Sequence, residues 1–149
     1  FGECLPYHEN KVTLNEDVRD KWGQATLTMD AEWKENELTM RKDMATAAAE
    51  MLEAAGAKNV SHYDSIDDND GKNRAMGIGI HEMGTARMGR DPKTSVLNEN
   101  NQIHACKNVY MTDGAAMTSA GCQNPSLTYM ALTARAANHA VSELKKMNL

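Results

Sequence analysis

The sequence has little of several features that would place it in a specialised class of protein. Its 149 residues include one phenylalanine and three prolines, and aromatic residues make up only 5%. The three cysteines, at positions 4, 106 and 122, do not have the number or spacing of a disulfide scaffold or a zinc ribbon. No apolar run approaches the roughly 18–20 residues that a membrane span needs. The sequence has 16 basic and 21 acidic residues, and the resulting net charge of −5 disfavours a general nucleic-acid binder.

The overall composition of the sequence is typical of a globular protein. Hydrophobic residues make up 41% and charged residues 25%, and a chain of this length can bury a core of its own. The sequence begins at Phe1 and has neither the charged n-region nor the apolar h-region of a signal peptide. We therefore expect the chain to be an internal piece of a longer protein.

Two segments have the spacing of amphipathic helices. Apolar residues recur at intervals of three and four over residues 37–55, and Gly56 follows where a C′ glycine would end the helix. Residues 125–147 repeat this pattern and are rich in alanine, so this helix can pack close to a partner surface. Its expected apolar face consists of Leu127, Met130, Ala131, Ala134, Ala137, Val141 and Leu144.

Three short segments, residues 26–29, 59–63 and 109–112, are typical of β-strands. Residues 64–74 are polar and rich in turn formers, so we interpret them as an exposed loop. Their Asp and Asn spacing lacks the closing Glu of a calcium-binding loop. We expect an α+β fold in which residues 1 to about 100 supply part of an antiparallel sheet with the helix at 37–55 packed on it.

Residues 76–91 hold four of the ten glycines, a density typical of tight turns or of backbone that lies close to a ligand. The dinucleotide fingerprint GxGxxG would need a glycine where Glu82 stands, so that motif is absent. His81 lies in this segment. Its imidazole could accept a hydroxyl proton as a general base, or it could be a hydrogen-bonded structural histidine. The segment alone leaves both interpretations open.

The pair Asn124-Pro125 indicates where the second long helix begins. In the simpler interpretation, Asn124 only caps the helix. In the other, the free N–H groups and partial positive charge of the helix start, together with the Asn124 amide, bind a ligand oxygen. A metal site is not expected, because His104 and Cys106 have no second pair at ligand spacing.

Read together, three segments resemble the C-terminal signature of the glucose–methanol–choline (GMC) oxidoreductases, flavoenzymes that oxidise alcohols. They are HEMGTARMG at 81–89, NVYMTDG at 108–114, and NPSLT at 124–128 followed by the alanine-rich helix. The resemblance is strong over residues 76–147 and loose over 1–75. The residue sequence of these motifs is most similar to that of bacterial sugar and polyol dehydrogenases of the family, among them glucoside 3-dehydrogenases.

The resemblance implies a role for each motif. His81 matches the catalytic histidine that accepts or orients the alcohol proton, and Asn124 matches the second catalytic position. Asp113 and Gly114 match a strand end that touches the ribityl–phosphate part of FAD. Asn124, Pro125 and Thr128 match the helix start that faces the flavin ring. No residue is implied as a metal ligand.

The resemblance also implies how the chain fits into a whole enzyme. Residues 1–100 would be the C-terminal part of the substrate-binding domain with the catalytic His loop, and residues 101–149 the last strand and helix of the FAD-binding domain. The FAD pyrophosphate fingerprint of the family is absent here, so the chain alone should bind FAD weakly or not at all and be inactive. The long helix would then be exposed or covered by a second copy in a homo-oligomer.

For the whole protein, the resemblance implies a sugar, polyol or other alcohol as substrate, and a cytochrome or quinone as electron acceptor, in the periplasm. Neither a nucleic acid nor a membrane span is expected. The alternative is a non-catalytic module that kept the fold and binds a ligand or a partner.

Overall fold

The computed structural model describes residues 1–61, 76–77 and 80–149. Within these residues lie two α-helices and two small antiparallel sheets, which confirms the expected α+β class. In chain order the elements are β1 (Lys11–Arg19), β2 (Ala25–Asp30), α1 (Glu35–Ala54), β3 (Gln102–Ile103), β4 (Cys106–Tyr110), a 3-10 turn (Gly114–Ala116) and α2 (Ser126–Lys145). The chain forms two compact units, Gly2–Gly79 and Ile80–Leu149, the second together with Phe1.

In the first unit, β1 and β2 form an antiparallel hairpin that includes the strand expected at 26–29. Val12 lies opposite Met29 and Leu14 opposite Leu27, so these four apolar side chains share one face of the hairpin. All four are exposed, Met29 to 75%. A two-stranded sheet with an uncovered apolar face is only marginally stable by itself.

Helix α1 confirms the helix expected at 37–55 and begins two residues earlier. Glu37 in its first turn is buried, and its carboxylate accepts the backbone N–H groups of Leu5 at 3.0 Å and Lys34 at 3.1 Å. The helix ends where Gly56 adopts φ 89°, a conformation that favours glycine. The Glu37 carboxylate therefore joins the helix start to a residue 32 positions before it.

We expect the stability contributed by Glu37 to depend on pH. Burial would raise the pKa of Glu37, but hydrogen bonds from the Leu5 N–H, the Asn36 amide and the Lys34 N–H hold it below the ordinary value of 4.5. Because the folded pKa is the lower one, this stability is complete above about pH 4.5 and is lost as the pH falls through the lowered value. Urea unfolding of the wild type and of Glu37→Gln should therefore differ at neutral pH and converge in acid. Glu35→Gln, an exposed change in the same turn, is the control, and an unchanged difference in acid would contradict the expectation.

The strand expected at 59–63 is not formed by its described part. Asn59 has φ 58°, which interrupts an extended backbone, and residues 59–61 belong to no strand. The remainder of that segment and the loop expected at 64–74 lie outside the described residues.

The second unit has a small core around Leu97. Leu97 and Ala116 are fully buried and Ala86 nearly so. The half-buried residues packed against them are Met88, Ile103, Met111 and Ala115. The strand expected at 109–112 is β4, displaced toward the N-terminus because it pairs with β3 through a tight turn.

Helix α2 confirms the helix expected at 125–147, and the apolar face named above is not the one that packs against its own unit. Leu127, Met130 and Leu144 are 77%, 68% and 63% exposed, whereas Ala136 is buried. The face of α2 that packs against the unit makes polar contacts with it. In one of them, Thr133 Oγ1 donates to the Thr112 carbonyl at 3.0 Å. No helix in the described part of the chain combines the length and apolar character required to cross a membrane.

Candidate functional site

Three backbone hydrogen bonds hold the segment that follows His81 to the 3-10 turn. The N–H groups of Gly84, Ala86 and Met88 donate to the carbonyls of residues 114, 115 and 116 at 3.3, 3.0 and 3.0 Å. These three hydrogen bonds make a short ladder between residues 84–88 and 114–116. His81 itself is half-buried, and its ring centroid lies 5.5 Å from that of Phe1.

Gly84 ends the His81 loop in a conformation that only glycine adopts easily. Its φ is 85°, and a Cβ at this position would lie 3.2 Å from the Thr118 carbonyl oxygen. Both the dihedral angle and the close approach disfavour any side chain here. Ile80, on the other side of His81, also has a positive φ of 54°. The histidine therefore lies in a tightly turned segment, as the glycine density predicts.

Asp113 and Gly114 have structural roles of their own. The Asp113 carboxylate accepts the Ala115 N–H at 2.9 Å and so caps the 3-10 turn, although the residue is exposed. Gly114 is buried, and a Cβ there would lie 2.8 Å from both Met83 Sδ and the Tyr129 hydroxyl. The absence of a side chain at Gly114 thus allows the His81 loop and α2 to approach each other.

At the start of α2 the N-cap is Pro125 and not Asn124, and no side chain caps the helix. The interpretation of Asn124 as a cap is therefore wrong in this structure. Asn124 is exposed, and no hydrogen bond joins its side chain to any residue that the structure describes. Thr128 is also exposed, whereas Pro125 is buried. Since the first turn of α2 holds no acidic residue, its free N–H groups suit a group rich in acceptor oxygens.

The structure brings the three motif segments together through one further contact. The Tyr129 hydroxyl, in the first turn of α2, donates to Met83 Sδ at 3.4 Å. With the backbone ladder, this contact links the His81 loop, the Asp113–Gly114 turn and α2. No hydrogen bond connects the side chains of His81 and Asn124 among the described residues.

Asn101 organises the neighbourhood of this site and was missed by the sequence analysis. It is fully buried with φ 62°, and its Nδ2 donates to the Met111 carbonyl at 2.9 Å. Its Oδ1 accepts Arg135 of α2 at 3.2 Å. Asparagine tolerates a positive φ better than most residues, so the Asn-rich run 98–101 was the signal in the sequence.

A second polar link joins β4 to α2. The Tyr110 hydroxyl lies 2.9 Å from His139 Nδ1 and 3.3 Å from Gln102 Nε2. Burial raises the pKa of Tyr110, and the Glu143 carboxylate adds to this effect. This link and the Asn101–Arg135 contact explain why the polar side of α2 faces the unit.

An open surface depression of about 260 Å³ is lined by Met88, Gly89, Arg90, Glu99 and Arg135. It includes none of the expected site residues. Among the residues that the structure describes, no group of three or more His, Cys, Asp or Glu side chains is arranged to hold a metal ion.

Comparison with known proteins identifies the family. The sequence profile of the GMC oxidoreductases matches residues 6–133. The chain is 33% identical over 139 residues to the 2-methyl-1,2-propanediol dehydrogenase of Mycolicibacterium austroafricanum, an alignment that covers 93% of this chain and 24% of that protein. It is 31% identical over 139 residues to the paromamine 6'-oxidase of Streptomyces fradiae, with the same two coverages.

A third similar protein is the fructose dehydrogenase large subunit of Gluconobacter japonicus, 28% identical over 147 residues, with 97% of this chain and 25% of that protein covered. The chain thus spans about a quarter of the length of these curated relatives. The profile match over most of the sequence, together with these relatives, shows that the chain belongs to the GMC oxidoreductase family.

Proposed function

We propose that the full-length protein is an FAD-dependent oxidoreductase that acts on the CH–OH group of a sugar, a polyol or another alcohol. The observation that supports this most is the link between the His81 loop, the Asp113–Gly114 turn and the uncapped start of α2. The relatives point to the same chemistry, since their names describe a diol dehydrogenase, a paromamine oxidase and a fructose dehydrogenase.

The chain's own residues fit such a cofactor. The start of α2 offers N–H groups without a competing cap or acidic side chain, which suits the carbonyl oxygens of a flavin ring. Asn124 and Thr128 are exposed beside it. The Asp113 carboxylate is exposed and could also accept hydroxyl groups of a ribityl chain. Gly114 and Pro125 would assist indirectly, because both are buried in the packing of this region.

The proposed mechanism assigns one task to each polar group. A bound flavin would supply the acceptor for the hydride that leaves the alcohol carbon. The His81 imidazole takes the hydroxyl proton as a general base. The Asn124 amide donates a hydrogen bond to the alcohol oxygen as negative charge develops there. The partial positive charge at the start of α2 stabilises negative charge on an acceptor group nearby.

Other parts of the proposal concern the whole protein. The chain alone is inactive and binds FAD weakly, because these 149 residues lack a GxGxxG phosphate-binding fingerprint. Residues 1–100 belong to the substrate-binding domain and residues 101–149 to the FAD-binding domain. The electron acceptor is a cytochrome or a quinone, and the protein works in the periplasm.

A non-catalytic binding module is the second candidate. It is favoured by the structural roles of Asp113 and Gly114, which would preserve their motif even without catalysis. Asn124 distinguishes the two candidates, because it has no hydrogen-bonding role among the described residues.

Anaerobic titration of the full-length protein tests the proposal. The visible flavin absorbance should bleach on addition of one class among sugars, polyols and simple alcohols. A full-length protein that carries no flavin, or whose flavin none of these compounds reduces, would leave the binding module as the better candidate.

For Asn124→Ala we expect slower flavin reduction without a loss of stability. Removing a hydrogen-bond donor to the developing negative charge should lower the rate about 10- to 100-fold. The free energy of unfolding should change by less than about 0.5 kcal/mol, because the side chain is exposed and no described residue forms a hydrogen bond with it. The control is Asn108→Ala, whose exposed side chain accepts from Cys106 outside the proposed site. Equal rates for the two variants would contradict the assigned role.

A further inference from the structure

We propose that Tyr129 is a positioning residue for His81, and that its hydroxyl acts by holding Met83. This inference rests on the proposed function, because it gives His81 the role of base. Tyr129 lies in α2, and Met83 lies two residues after His81 in the loop. Nothing in the motif that resembles the family assigns a task to either side chain.

The contact between the two side chains is close and enclosed. The Tyr129 hydroxyl donates to Met83 Sδ at 3.4 Å, and both residues are half-buried. A Cβ on Gly114 would lie 2.8 Å from each of them, so the pair fills the space above this glycine. Burial raises the pKa of Tyr129, and the Asp113 carboxylate adds to the effect, so the hydroxyl keeps the proton that it donates.

The position of this contact explains why it should affect His81. The backbone ladder fixes the chain from Gly84 onward, and Ile80, before His81, has a positive φ. Residues 81–83 precede the ladder, so the ladder does not fix them. The Met83 side chain is thus an anchor between the histidine and the first ladder hydrogen bond. Loss of that anchor would leave the fold intact and let the imidazole sample more orientations, which lowers the fraction in reactive geometry.

The test compares Tyr129→Phe with Tyr110→Phe in the full-length protein. Each variant removes one tyrosine hydroxyl that links α2 to the rest of the unit. The Tyr110 hydroxyl, however, bonds to His139 and Gln102 and not to the His81 loop. We expect Tyr129→Phe to lower the limiting rate of anaerobic flavin reduction about fivefold, with KM changed less than about twofold. Tyr110→Phe should leave both constants near wild type, while it lowers the melting temperature about as much as Tyr129→Phe does.

A second measurement does not depend on activity. Amide hydrogen exchange of residues 81–83 should become faster in Tyr129→Phe and stay unchanged in Tyr110→Phe. If the wild type shows no alcohol-dependent flavin reduction, the proposed function fails, yet the exchange experiment still decides whether Tyr129 holds the loop. Unchanged exchange and an unchanged rate in Tyr129→Phe would overturn the inference.

A double-mutant cycle with Met83→Leu isolates the hydrogen bond. Leucine keeps a similar apolar volume but offers no sulfur acceptor. If the contact positions His81, the double variant should be no slower than Tyr129→Phe alone. Rate losses that simply multiply would show that the two side chains act separately and would also overturn the inference.

Discussion

Replacing His81 by Gln in the full-length protein is expected to slow alcohol-dependent flavin reduction about 10²–10⁴-fold. Glutamine keeps a polar side chain of moderate size but cannot accept the hydroxyl proton at neutral pH. Because proton removal belongs to the chemical step, the loss should appear in the limiting rate more than in KM. Stopped-flow absorbance of the flavin under anaerobic conditions measures it directly, and His81→Ala should give a loss of the same order.

His104→Gln provides a matched control for this result. His104 lies in the same unit and is half-buried, but its Nε2 contacts Ser95 Oγ at 3.1 Å and the Gly89 carbonyl at 3.2 Å. Its replacement should cost stability and leave the rate of flavin reduction nearly unchanged. A similar rate loss in both variants would indicate a general disturbance of the unit, and a normal rate in His81→Gln would exclude His81 as the base.

The largest expected effect on stability is that of Asn101→Ala, about 3–5 kcal/mol. The substitution leaves the Met111 carbonyl and the Arg135 guanidinium without their buried partner. It also places alanine, whose side chain forms no compensating hydrogen bond, at a backbone φ of 62°, which strains a residue that has a Cβ. Native-state hydrogen exchange across residues 97–111 should detect the loss, because it reports on this unit independently of the remainder of the protein.

Two variants separate the causes of that loss. Asn101→Gly removes the same hydrogen bonds but relieves the backbone, so it should be about 1 kcal/mol less destabilising than Asn101→Ala. Asn100→Ala changes a neighbouring half-buried asparagine and should cost much less. If alanine and glycine at position 101 were equally destabilising, backbone strain would have no part in the effect.

The elements with strong local signals could be predicted from the sequence. Helix α1 and its terminating Gly56 follow from apolar spacing and from the glycine preference for positive φ. Helix α2 follows from its periodicity and from Pro125 at its start. These features depend on neighbouring residues only, which is why a single sequence contains them.

Elements that depend on distant partners could not be predicted. Strand β3 has two residues and exists only through its pairing with β4. Strand β1 has apolar residues that alternate with polar ones, but a register shift between Asn15 and Arg19 interrupts the pattern. The face of α2 that packs against its own unit could not be predicted, because Tyr129 and Thr133 make their contacts there with residues 46 and 21 positions away.

The candidate site shows the same division. The motif residues His81, Asp113 and Asn124 could be named because each stands in a short, ordered pattern. The Asn-rich run 98–101 signals a turn, but the partner of Asn101 and the contact between Tyr129 and Met83 could not be named, because these pairs are 10 and 46 positions apart. Such pairs have no signature in one sequence until the chain is folded.

The backbone ladder between residues 84–88 and 114–116 has a consequence for how enzymes of this type can diversify. Since peptide groups form its three hydrogen bonds, its geometry does not depend on which side chain stands at the exposed Thr85. Substitutions at Thr85 should therefore keep the loop in place while altering the chemistry of the surface around it. The surface beside His81 can then change its chemistry while the backbone that carries it keeps its geometry.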